Sequence, residues 1–187
     1  AFTLFADAPV DVAVIEVGMG GEWDATNIAD AQVAVFTPID LDHTAVLGTD
    51  IETIARTKAG IVKQGSTVVT AAQDSAALVE LVEAAEREDA RIFVSARDFD
   101  VTEDLLAVGG RQVSLRGLHG HEYDPAFVPL YGAHQAQNVS LAVAAVEAER
   151  QQRGGDAGGQ HLVGGPGHGV VVLVHEGHAI GVLGAVA

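Results

Sequence analysis

Four short runs of apolar, largely β-branched residues, each separated from the next by a helical or turn pattern, constrain this chain more than anything else in it. Val10 to Val17 and Val33 to Ile39 are nearly uninterrupted, and Thr67 to Thr70 and Ile92 to Ser95 are shorter runs of the same kind. Continuous rather than alternating apolar runs belong to strands buried on both faces, as in a parallel sheet. Between them, Thr49 with Glu52 reads as a capping box, Ile51, Ile54 and Ala55 form one helical face, and Gly60 reads as the stop. Ser75 to Glu88 repeats the pattern, with Leu78, Leu81, Val82 and Ala85 on one side. This alternation predicts an α/β fold: a mostly parallel sheet flanked by helices and joined by right-handed crossovers.

The character changes after Phe99. Val101 to Val108, Gly109-Gly110 and Arg111 to Leu118 read as a short antiparallel hairpin. Val128-Pro129-Leu130 reads as an edge segment, and a last helix is expected from about Ala136 to Glu149. Residues 1–150 thus form one unit. Residues 151–187 stand apart, because they hold 11 of the 22 glycines and four of the eight histidines. Gly154 to Gly159 is a linker by composition. Val170 to Val174 and Ala179 to Val186 read as a weak hairpin in an otherwise irregular tail.

At 187 residues the chain is long enough to bury roughly 70% of its unfolded surface. Its formal charge of −16 opposes binding to nucleic acid or to an anionic membrane, and no basic patch offsets it. No signal-peptide pattern is present, and the longest apolar run, Gly169 to Val174, is far too short to span a bilayer. The absence of cysteine suits a reducing compartment, so a cytoplasmic location is expected.

Three residues stand where chemistry is expected. Glu16 closes the first strand, and ligands of open α/β sheets bind beyond the carboxyl ends of strands. Taken alone it reads more readily as a solvated strand-end glutamate; the two glycine-containing steps that follow shift the balance toward a ligand. His43 follows the second strand with Asp42 beside it, as a metal ligand or a hydrogen-bonded loop histidine. Lys58, one of only two lysines, lies seven residues after Ile51 and four after Ile54, on the buried face of its helix. A buried ammonium needs a partner or a depressed pKa, unless it snorkels to the rim. A neutral amine there could also take up carbon dioxide as a carbamate.

The stretch Glu16-Val17-Gly18-Met19-Gly20-Gly21-Glu22-Trp23-Asp24-Ala25-Thr26-Asn27, the Leu41-Asp42-His43 segment and Lys58-Ala59-Gly60-Ile61 resemble the folylpolyglutamate synthase/dihydrofolate synthase family of Mur-ligase-like, ATP-dependent amide ligases. The spacings, 27 residues from Glu16 to His43 and 15 from His43 to Lys58, fit that family. The resemblance implies a Mur-ligase central ATP-binding domain over about residues 1–150. It implies two Mg²⁺ sites, with Glu16 and His43 as ligands and a carbamylated Lys58 supporting the second, so that His43 and Lys58 carry catalysis. Gly20, Gly21, Asp24, Thr26 and Asn27 correspond to a substrate loop. His134, Gln135 and Asn138 resemble the family's His-Gln-x-x-Asn helix start, where the asparagine reaches the adenine of ATP. The implied substrates are ATP, dihydropteroate or a folate, and L-glutamate, with no nucleic-acid or membrane partner and a monomeric intact enzyme.

The chain departs from the family in three places. No Gly-x-x-x-x-Gly-Lys-Ser/Thr loop occurs, Glu22 stands where members often have arginine, and residues 151–187 match nothing of the family's carboxyl-terminal domain. The chain is therefore expected to be a piece of a longer ligase and inactive alone. Rival readings are another Mur-type amino-acid ligase and a non-catalytic remnant of such an enzyme. A dinucleotide fold on Gly18-x-Gly20 lacks its third glycine, since position 23 is Trp23. A zinc site on His175-Glu176-Gly177-His178 is one residue short of the protease spacing.

Overall fold

A computed structural model describes residues 12–155 and the backbone of residues 170–175. Five parallel strands form the main sheet: β1 (Val12–Val17), β2 (Val33–Phe36), β3 (Thr67–Thr70), β4 (Arg91–Val94) and β8 (Val170–His175), in the order β1-β8-β2-β3-β4. β5 (Asp100–Ala107), β6 (Gly110–Arg116) and β7 (Glu122–Val128) form a separate antiparallel sheet in sequence order. The helices are α1 (Thr44–Leu47), α2 (Ile51–Ala59), α3 (Ser75–Arg87) and α4 (His134–Gly155). The expected α/β architecture is the one observed.

The main sheet carries apolar cores on both faces. Ala13, Ile15, Val17, Ala34, Phe36 and Val68 pack with Ile54 and Ala55 of α2 and Leu81 and Ala84 of α3. Val33, Val35 and Val69 pack on the other face against the alanine-rich α4. α4 is buried on two sides, because Val113, Leu115 and Val128 of the antiparallel sheet join the same core. That double burial explains why its apolar residues surround the helix instead of forming one stripe.

Several boundaries differ from the sequence reading. β2 stops at Phe36 because Pro38 has no N–H to continue the ladder. The cap of α2 is Asp50, whose carboxylate accepts from Thr53 N at 2.8 Å and Thr53 Oγ1 at 3.0 Å, so no Thr49–Glu52 box forms. The buried stripe of α3 runs through Ala77, Leu81, Ala84 and Ala85, and Leu78 and Val82 lie at its margin. Glu80 joins that stripe because Arg56 of α2 clamps it through two nitrogens at 2.8 and 2.9 Å. The expected edge segment at Val128–Leu130 is the end of a full third strand, β7, and α4 is longer than expected at both ends.

The largest difference lies in the tail. Val170–His175 does not form a hairpin but inserts between β1 and β2, parallel to both. Its apolar run suits a central strand buried on both faces. Ala179 to Val186 lies outside the described residues.

Candidate active site at the sheet's carboxyl edge

Glu16 is the penultimate residue of β1 and stands level with Val174 and, through it, Val35. Two strand spacings, roughly 10 Å, therefore separate it from β2. Strand alternation sends Ala13, Ile15 and Val17 toward α2 and α3, so Glu16 shares the α4-facing side with Val14. Its carboxylate is exposed and makes no hydrogen bond or ion pair to a described residue.

Beyond β2, the chain from Thr37 to His43 is shaped by its own polar groups and by one distant side chain. Asp42 N donates to Asp40 O at 2.8 Å, Leu41 N to Asp40 Oδ1 at 2.7 Å, and His43 N to Asp42 Oδ1 at 2.7 Å. Gln73, after β3, accepts from Ile39 N at 2.8 Å and donates to Thr37 O at 2.8 Å and Thr70 Oγ1 at 3.0 Å. His43 adopts a left-handed backbone, φ 52°, and its carbonyl accepts from Val46 N and Leu47 N to start α1. Its ring is 44% exposed, and Nε2 lies 3.6 Å from Asp42 Oδ2, too far for a hydrogen bond. Asp42 thus fixes the backbone of His43 rather than its ring.

The glycine stretch after β1 is built to let two backbones touch. A Cβ on Gly21 would lie 2.7 Å from the carbonyl oxygens of Thr57 and Lys58, and one on Gly60 would lie 2.6 Å from Glu22 Cβ. Glu22 N donates to Thr57 O at 3.1 Å, and Asn27 Nδ2 donates to Glu22 O at 3.0 Å and Gly60 O at 3.2 Å. Gly20, at φ 74°, packs on Leu47 of α1 and Thr57 of α2. The stretch carrying Glu16, the helix after His43 and the helix carrying Lys58 are thereby locked together. Lys58 is 1% exposed, as its place on the inner face of α2 requires.

Asp24 and Thr26 act first on the loop itself. Asp24 caps the 3₁₀ turn Ala25–Ile28, taking Thr26 N at 2.8 Å, Thr26 Oγ1 at 2.5 Å and Met19 N at 3.0 Å. Burial pushes its pKa up, but these hydrogen bonds outweigh that and hold it below the ordinary aspartate value. No α-helix opens at Gly20, which removes the structural context a dinucleotide fold would need.

α4 runs antiparallel to the strands. Gln152, near its end, donates to Gln32 O and Thr67 Oγ1 at the amino-terminal edge of the sheet. Its first turn consequently lies at the opposite edge, with His134, Gln135 and Asn138. Asn138 is 6% exposed and donates to Gln135 Oε1 at 3.3 Å, and the His134 and Gln135 side chains lie 3.1 Å apart. Glu16 and the start of α4 thus share one sheet face, while Lys58 approaches from beneath the glycine loop on the other.

Among the described residues, no three His, Asp or Glu side chains converge into a cation cage. The donors are an exposed carboxylate, an exposed imidazole and a buried amine. Mg²⁺ keeps most of its water and takes one or two carboxylates together with phosphate oxygens, so in this set the Glu16 carboxylate is the ligand type it prefers and the imidazole at most a supplement. The set does not fit a structural zinc centre with four protein ligands. Of His175-Glu176-Gly177-His178, the residues after His175 lie outside the described residues.

The Mur ligase middle domain family matches residues 1–146. The dihydrofolate synthase/folylpolyglutamate synthase of Mycobacterium tuberculosis is 46% identical over 168 residues, covering 84% of this chain and 34% of that protein. The solved Mycobacterium tuberculosis folylpolyglutamate synthase complexed with ADP superposes with a TM-score of 0.76 at 47% identity, over 80% of this chain and 34% of that one. A solved FPGS–AMPPCP–folate complex gives 0.79 at 33% identity, over 82% and 37%. The chain spans about a third of the length of the curated relatives it matches. Matched over most of its length and folded as these solved relatives are, the chain belongs to the Mur ligase middle-domain family.

Proposed function

We propose that this chain is the cation- and nucleotide-handling part of an ATP-dependent ligase that joins L-glutamate to dihydropteroate or a folate. The observation that carries the reading is the interlock of Gly21, Gly60 and Asn27, which ties the Glu16 stretch to the helix of Lys58. The relatives' names point to folate rather than to a cell-wall precursor, and solved relatives hold ADP, AMPPCP and folate. No helix among the described residues is long and apolar enough to cross a membrane.

In the proposed reaction, a carboxylate oxygen of the pteroate or folate attacks the γ-phosphorus of ATP, forming an acyl phosphate and releasing ADP. The amine of glutamate, having lost its proton, then attacks the acyl carbon. The C–O bond to phosphate breaks, leaving an amide and inorganic phosphate. Bound Mg²⁺ supplies charge neutralisation on the phosphoryl oxygens. Glu16 and His43 would hold that cation, and Lys58, as a carbamate, would add an anionic oxygen for a second. Asn138, with His134 and Gln135 beside it, would face the adenine. Gly20 and Gly21 seat the loop against α1 and α2, and Asp24, Thr26 and Asn27 keep it in shape, so that its outer side would meet the substrate. Glu22, beside this loop, is exposed. The intact enzyme is read as a cytoplasmic monomer.

The test is a graft of residues 1–146 into the matched segment of the Mycobacterium tuberculosis relative, assayed for ATP-dependent transfer of labelled glutamate. The graft is expected to work. Glu16→Ala or His43→Ala within it should lower kcat roughly a hundredfold or more, since a lost cation contact costs several kcal/mol at the transition state. Variants as active as the graft would overturn the assignment of these residues.

A further inference from the structure

Gln73 has no place in the motifs quoted above, yet its side chain reaches from beyond β3 to hold the segment leading to His43. Its amide is used at both ends: the oxygen accepts from Ile39 N at 2.8 Å, and the nitrogen donates to Thr37 O at 2.8 Å and Thr70 Oγ1 at 3.0 Å. The third of these contacts ties the same amide to the end of β3. The two backbone contacts flank Pro38, which has no N–H of its own and ends the β2 ladder. Regular sheet bonding therefore gives out at this point, and the Gln73 side chain replaces it. From Ile39, buried in the core, the chain reaches His43 in four residues held by short contacts among Asp40, Leu41 and Asp42.

We propose that Gln73 is a positioning residue for His43, fixing the backbone from which the imidazole is presented to the cation. The cation part of this rests on the function proposed above; the backbone part does not. An amide is needed because one side chain must serve a backbone donor and a backbone acceptor two residues apart. Glutamate would keep the acceptor and set a carboxylate against the Thr37 carbonyl. Methionine would keep the shape and lose both bonds.

The experiment compares the full 187-residue chain with its Gln73→Met and Gln73→Glu variants. Amide exchange and His43 shifts are read by NMR, and Mn²⁺ alone is titrated by EPR. In Gln73→Met, Ile39 exchange should accelerate roughly tenfold, the factor expected for one lost hydrogen bond, with Val35 and Val69 unchanged within about twofold. His43 shifts should move, and the Mn²⁺ dissociation constant should rise about five- to tenfold. Gln73→Glu should keep Ile39 protected while His43 still moves, which preserves the test if the methionine variant loses its fold. Unchanged His43 shifts in both variants, or equal acceleration at Ile39, Val35 and Val69, would overturn the proposal. Failure of the unsubstituted chain to bind Mn²⁺ would overturn the cation part alone, and the exchange and shift data would then decide the rest.

Discussion

Gly21 and Gly60 are required by backbone contact rather than by backbone conformation. Neither has a positive φ, yet a Cβ at either would press into backbone of the other's motif, at 2.7 Å from Thr57 O and Lys58 O for Gly21 and 2.7 Å from Glu22 Cα for Gly60. Backbone cannot swing aside as a flexible side chain can. Gly21→Ala is therefore expected to cost about 2 kcal/mol of stability, as overpacking typically does. In thermal unfolding this should appear as a fall of about 4–8 °C in Tm for a chain of this size. An unchanged Tm would mean the two motifs are not in contact. The burial of Lys58 was readable in the sequence, since it follows from the spacing to Ile51 and Ile54. The reason for Gly60 was not, because its partner Glu22 lies 38 residues away. Gln73 left no signal at all: a glutamine after a strand has no periodicity to betray it.

At the scale of elements, β1 to β4 and α2 to α4 were legible because apolar runs and helical stripes report burial directly. What sequence cannot report is strand order. Residues 170–175 read as a strand in either arrangement, and only the vacant lane between β1 and β2 makes it a central one. β8 pairs with β1 at six positions and with β2 at four. A chain ending at residue 155 would open both inner edges of the sheet to water and to other chains. That truncation is expected to unfold or aggregate at temperatures where light scattering from the full chain stays unchanged. A truncated chain with the Tm of the full one would show that β8 contributes nothing to the sheet. The antiparallel sheet is tied on separately, through Glu147 of α4, which accepts from Leu118 N at 2.6 Å and Tyr123 Oη at 2.9 Å. Burial and that contact push the Tyr123 hydroxyl up to about 12, so this tie is intact below about pH 10 and is lost as pH rises through 12.

The whole molecule carries 26 acidic and 10 basic residues. Self-repulsion at −16 opposes the compact state, and screening relieves it as the Debye length falls from about 10 Å at 0.1 M salt to about 3 Å at 1 M. Tm is therefore expected to rise by several degrees, roughly 4–8 °C for a relief of about 2 kcal/mol, between 0.1 and 1 M KCl. A flat or falling Tm would show that the surface carboxylates are already neutralised by the fold. The same field repels a nucleotide, so under the proposed function phosphate binding would be local, at cations held by the carboxyl edge of the sheet. Anomalous diffraction from crystals of the chain soaked in Mn²⁺ tests that most directly. The expected result is a peak coordinated by the Glu16 carboxylate and the His43 imidazole, absent in Glu16→Ala. Peaks only at other carboxylates, with Glu16 and His43 facing separate solvent, would contradict it.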